Sequence, residues 1–452
     1  MTMARRYDRR GLAVTVANQP ALDRFDNAVD AVLGHRADCS ERIADALAAD
    51  AGFLLAHCLK GFTAKLAARQ ELAADAAASL AEARAAARSR GMTRREETYV
   101  DALAAWCAGD MLRAGDLLSA QLGRDPLDLL AIKLHQSVHF MLGQRRVMLD
   151  TVRHAITAWD TTVPGFGYVL GCLAFALEES GAYASAERQG RRACALIPAD
   201  IWAAHAVAHV HEMRGEPHAG LRWLAQQSVA HGGCNNLAFH LAWHRALFYL
   251  SLDQPERAIA LYDGAVRASE TEDYRDIANA VSLLWRLEQR GVAVGARWRE
   301  LADKAALRLG DPSLVFASLH HLLALVGDGR DTAAETLLRS LHLQARRRPG
   351  TQSAVLEAIG IALAEAVLAA QRRHYSRVVD LLYPIRHRIA LIGGSNAQRD
   401  IVAQLLIDAA IAAGRRSEAR ILLDERADLR LRCNWGATRA ALLADDARSA
   451  AL

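Results

Sequence analysis

Glycine recurs in this chain at a fixed distance, and that recurrence limits the folds open to it more than any other feature. Gly109 and Gly143 are 34 residues apart, and so are Gly181 and Gly215. Residues 181–198, GAYASAERQGRRACALIP, show what half a period contains. A glycine makes the turn, Ala186 and Ala193 share a helical face on which a partner can lie close, and Pro198 ends the run. IWAAHAVAHVHEMRGE follows at once and carries the next turn glycine. Two helices and a turn cannot bury their apolar face alone, so such units stack on their neighbours. Two intervals are longer. Gly143 to Gly181 and Gly215 to Asp253 each span 38 residues, with the excess at TTVPGFG and HGGCNN. The second insertion adjoins a histidine-rich helix and is expected to form a pocket lip.

Composition agrees with stacked helices. Hydrophobic residues make up 52% of the chain but aromatics only 6%, and the nine prolines fall mostly at helix boundaries. The pattern predicts an all-α helical-repeat solenoid. Residues 1–91 are expected as a helical lead-in, irregular through 45 apart from a helix at 21–33, then helical with a break near Gly61. The repeats occupy 92–430, and 431–452 form a tail helix. Roughly seven to ten helix pairs would wind into a right-handed superhelix, closed around a central cavity if it curls far enough.

The formal net charge is +4, and the arginines are spread along the chain. That distribution argues against a nucleic-acid partner. Seven cysteines without a CxxC pair suggest reduced thiols and a cytoplasmic protein. The start MTMARRYDRRGL lacks the apolar core of a signal peptide, and no apolar run of 18 residues is evident, so no membrane association is expected. The oligomeric state is left open, a dimer included.

Histidine marks the candidate site. Seven of the 17 histidines lie between His205 and His244. His205, His209 and Glu212 follow one another at i, i+4 and i+7, so they project from one side of a helix. His240 and His244 repeat the i, i+4 spacing on the first helix of the next unit. Imidazoles so spaced, with a carboxylate one turn on, are credible ligands for a transition metal such as Zn or Fe. HExxH is absent, and HxxxH alone is a weak pattern. A metal-free site, in which neutral histidines and carboxylates bind or deprotonate a small polar ligand, is equally open.

Several blocks, in order, resemble the tetratricopeptide repeat protein 38 family. They include REETYVDALAAWCAGD (95–110), PGFGYVLGCLAFALEESGAYASAE (164–187), HAVAHVHEMRGE (205–216), HLAWHRALFYL (240–250), SLLWRL (282–287) and GGSNAQRD (393–400). The resemblance runs from about Arg94 to Leu431. It implies a tetratricopeptide-type all-α fold and no settled activity. The chain departs from the family at two positions. Asn396 stands where members usually have histidine within GGSxAQRD, and Asn279 where they tend to have aspartate.

In such repeats, positions 2, 5, 9 and 12 line the concave groove. Counting back from Pro198 puts Tyr168, Gly171, Phe175 and Glu178 there in one unit, and Trp202, His205, His209 and Glu212 in the next. His320, on a later helix, would join only if the superhelix curls back. Gly393-Gly394-Ser395 precedes a helix start. Either its amides cradle an anion with Gln398 and Arg399, or Ser395 simply caps the helix. The expectation is a pocket with His205, His209, Glu212, His240 and His244 in catalytic roles. Tyr168, Glu178, Trp202, His320, Ser395, Gln398 and Arg399 would bind a small polar or acidic ligand, and the four histidines would hold any metal. Whether the chain is an enzyme is left open. The alternative is a non-catalytic adaptor that holds a protein or peptide partner in its groove.

Overall fold

The structure is a computed structural model, which describes residues 6–227, 232–347, 349–431 and 433–449. The described residues are helical almost throughout. The exceptions are an antiparallel two-residue ladder, Arg6–Tyr7 with Ala13–Val14, and a single bridge between Arg36 and Cys234. His231, Arg348, Arg432 and residues 450–452, which fall within the sequence features above, lie outside the described residues.

The turns show why the period exists. Gly109, Gly143, Gly181 and Gly215 all have positive φ, between 66° and 91°. A left-handed residue lets the chain reverse after each helix, and only glycine adopts it without strain. At each turn the next amide reaches back to the helix. Glu216 N donates to His211 O at 2.8 Å, and Ala182 N to Leu177 O at 2.9 Å, bonds that satisfy carbonyls orphaned at the helix end. The register continues with Asp253, Gly291, Gly329, Arg373 and Gly414, all at positive φ. The helices between these turns pack on their sequence neighbours, as helical repeats do.

The backbone contacts divide the chain into two compact units. One comprises Met1–Val207, Gln227–Ala238 and Pro349–Thr351, and the other Ala208–Gln226, Phe239–Arg348 and Gln352–Leu452. In the first unit the N-terminal segment holds more helix than expected. Gln19–Leu33 is followed by a second helix, Cys39–Ala49. The expected break at Gly61 is absent, because Leu54–Leu66 runs straight through it. A Cβ there would lie 2.5 Å from Leu103 Cδ2, so this glycine serves close helix packing and not a turn.

In the second unit Tyr274–Glu288 packs on Val315–Gly327 and also on Asn396–Ala412, which is more than a hundred residues away in sequence. One helix corrects the expectation that no apolar run reaches 18 residues. Thr351–Gln371 is 21 residues long with mean hydropathy 1.8, enough to cross a membrane by length and composition. Its apolar window is 56% buried within the protein, as in a core helix.

Candidate functional site

The helix Ile201–Arg214 is alanine-rich, with Ala203, Ala204, Ala206 and Ala208 all at 0% exposure. Asp200 starts it, its Oδ1 accepting from Trp202 N at 3.0 Å and Ala203 N at 3.1 Å. Every residue from Ala203 to Met213 is buried. This corrects the picture of an open groove. Alanines let neighbours approach from all sides, so His209 and Glu212 face protein and not bulk water.

Four of the singled-out residues come together in the second unit. His209 and Glu212 lie on Ile201–Arg214, and His240 and His244 on Leu237–Ser251. Ring centroids are 4.4 Å apart for His209 and His244, 4.7 Å for His240 and His244, and 6.2 Å for His209 and His240. Each of the three offers a ring nitrogen within 4.8 Å of the others. His205 lies one turn before His209 on the same helix.

Two of these rings are held from behind. His244 Nδ1 hydrogen-bonds Glu212 Oε2 at 2.7 Å, and Glu212 Oε1 accepts from Arg430 at 2.5 Å. His240 Nδ1 hydrogen-bonds Asn279 Oδ1 at 3.0 Å, and Gln398 Nε2 reaches the same oxygen at 3.4 Å. Trp243 stacks on His240 at 5.1 Å and donates its indole N–H to Ser282 at 3.0 Å. A carboxylate and an amide oxygen both make Nδ1 the protonated nitrogen, which leaves Nε2 with the lone pair.

The electrostatics follow from burial. Burial pushes the His244 imidazole down to about 4, and His209 adds to the shift. Burial, then His244 and His209, holds His240 well below its ordinary value. Burial alone would raise Glu212, but Arg430, His244 and His209 outweigh it and keep the carboxylate ionised. Arg430 supplies the countercharge, so Glu212 does not need an imidazolium. Near neutral pH the geometry therefore presents neutral imidazoles oriented by an anion and an amide.

Of the other expected ligands, Tyr168, Glu178, Trp202 and His205 belong to the first unit, and His320, Ser395, Gln398 and Arg399 to the second. In the first unit Trp202 contacts Phe175 at 4.6 Å and stacks on His35 at 5.5 Å, with Lys133 Nζ 4.4 Å above its ring. His205 stacks on Phe175 at 5.6 Å and meets Trp202 at 4.9 Å. Glu178 is fully buried and Tyr168 half-buried. Burial, then Asp200, raises the Tyr168 phenol. The HGGCNN loop, described from Gly232 on, belongs to the first unit. Its Gly233 O accepts from Ala37 N at 3.0 Å and its Asn235 N donates to His35 O at 2.7 Å, so it seals the 34–37 turn. Cys172 and Cys194 are packed thiols, each pushed up to about 12 by burial.

In the second unit His320 and Arg399 depart from expectation. His320 Nδ1 bonds the Phe316 carbonyl one turn back at 2.8 Å. It lines a separate, largely apolar cavity of about 30 Å³ with Phe316, Leu363, Gln398 and Arg399. Arg399 donates to the Gly394 carbonyl and, at 2.7 Å, to Asn396 Oδ1. Its guanidinium folds back over its own helix start, because a side chain at that position reaches the preceding turn most directly. Ser395 and Gln398 form a reciprocal capping box, which satisfies the amides that an anion would otherwise claim. Gln398, not Arg399, makes the link to His240 through Asn279.

Sequence reasoning missed Arg430 and the hydrogen bond made by Asn279. Arg430 is 218 residues from Glu212. The only signal for Asn279 was its departure from the resembled family. No protein-family model matches the chain.

Proposed function

We propose that this chain is a tetratricopeptide-type repeat protein whose buried histidines form a transition-metal centre, with Zn or Fe as the ion. It acts as a metal-dependent enzyme on a small polar or acidic substrate. His209, His240 and His244 are the ligands, and His205 is the fourth imidazole of matching helical spacing. One observation carries the reading: Nδ1 of His244 is held by Glu212 and Nδ1 of His240 by Asn279. Metal-bound histidines need such outer partners to fix the tautomer and aim the other nitrogen, and three imidazole ligands are a set that catalytic zinc uses. Burial of the cluster favours this over a peptide-holding groove, since His209 and His244 have no exposed surface.

The test is metal content. Protein purified without chelator, or stripped and reloaded, should hold about one ion per chain by mass spectrometry, and His209→Ala and His244→Ala should hold far less. If stripped wild-type protein takes up neither Zn(II) nor Fe(II), the cluster is a structural polar network and the proposal fails.

A further inference from the structure

A second cavity of about 30 Å³ in the second unit is lined by four arginines, Arg286, Arg290, Arg426 and Arg430, with Glu212 and Asp400. The arginines form two pairs at i, i+4, one from each side. Arg426 grips Asp400 with two bonds at 2.7 and 2.9 Å, and Arg430 bonds Glu212. Arg286 and Arg290 differ. Among the described residues Arg286 donates to the carbonyls of Ser282 and Ala397 alone, both at 3.1 Å, and Arg290 to the Arg286 carbonyl alone. Among the described residues neither has a carboxylate within ion-pair distance, although Arg286 is 3% exposed. Like charges one turn apart repel, and a buried cation without an anion is costly. Trp435, also on the lining and buried, has an indole N–H with no acceptor among the described residues.

Four guanidiniums against two carboxylates leave a surplus of two positive charges in a space of about two water volumes. Cys433 adds a thiol whose ionisation burial opposes and Arg426 and Arg430 favour. We propose that this cavity binds a doubly charged oxyanion, the phosphoryl group of a phosphate monoester or free phosphate, with Arg286 and Arg290 as its principal donors. Arginine forks match such a group in geometry as well as charge. As the substrate's anchor the cavity rests on the proposed metal centre, from which it is separated by the Glu212 carboxylate. Anion binding itself stands without the metal.

The experiment therefore uses full-length protein stripped of metal in a low-salt zwitterionic buffer, titrated with inorganic phosphate by calorimetry and by thermal melting. Wild-type protein should bind phosphate saturably, near one per chain, and melt higher with it. Acetate should bind much more weakly. Arg290→Gln should weaken phosphate binding roughly tenfold or more, the loss expected for a charge-assisted contact. Without phosphate it should melt no lower than wild type, because it relieves a like-charge pair. Arg286→Lys should bind phosphate with intermediate affinity. No saturable binding by wild type, acetate bound as tightly as phosphate, or an Arg290→Gln protein that melts lower yet binds phosphate unchanged would each overturn the proposal. With metal absent throughout, these outcomes leave the metal centre untouched, and a failed metal centre leaves them untouched.

Discussion

At His240 the bond that orients the ring is accepted by the amide oxygen of Asn279, at 3.0 Å, where His244 has the Glu212 carboxylate. The two supports share geometry but not charge. Asn279→Asp would add a negative charge directly behind His240 and make it a better ligand. Metal affinity should rise by about tenfold or more, the scale on which outer partners act, measured by competition with a chelating dye. Unchanged affinity would place His240 outside the coordination sphere. Helical spacing revealed the histidine pairs, because i, i+4 positions share a face whatever the tertiary fold. Asn279 lies 39 residues from His240, and Arg430 lies 218 from Glu212, so no local pattern exposed either.

Asp200 offers a second test at this scale. It is 1% exposed, its Oδ2 has no hydrogen-bond partner among the described residues, and burial pushes it up to about 7 despite two backbone amides and Lys133. The folded protein thus keeps a proton that the unfolded chain releases near pH 4. The carboxyl's contribution to stability falls as pH rises from about 4 to 7 and is level above that. Asp200→Asn keeps the helix cap and removes the charge. It should leave stability nearly unchanged at pH 4 and raise it above pH 7 by at most about 4 kcal/mol, read from urea unfolding. A difference that does not vary with pH would contradict this account.

Among the elements, the turns were the most legible part of the chain. The 34- and 38-residue intervals landed on residues at positive φ because the reversal needs a left-handed residue and glycine supplies it. The exceptions mark where the signal fades. Asp253 and Arg373 hold the same conformation with a Cβ, both at φ 57°. Arg373→Gly should stabilise the protein by about 1 kcal/mol in chemical denaturation, and a loss of that size would mean that its side chain matters more than the strain. Gly61 shows the converse error. A glycine read as a breaker is a packing glycine, and only the position of Leu103 distinguishes the two.

For the whole molecule, the helical class followed from composition and period, since an alanine- and leucine-rich chain with few aromatics and regular turns has few other ways to bury its surface. The division between Val207 and Ala208 was not legible, because the repeat pattern continues through it. Burial of the histidine helix was hidden for a related reason. Groove position in one unit says nothing about what covers it. The central claim is that His209, His240 and His244 bind one metal ion. X-ray absorption at the metal edge, on protein loaded with one equivalent of Zn(II), tests it most directly. The account predicts at least three histidine nitrogens near 2.0–2.1 Å and loss of that imidazole signal in His209→Ala and His244→Ala. A shell of water oxygens alone, or an unchanged spectrum in both variants, would contradict it.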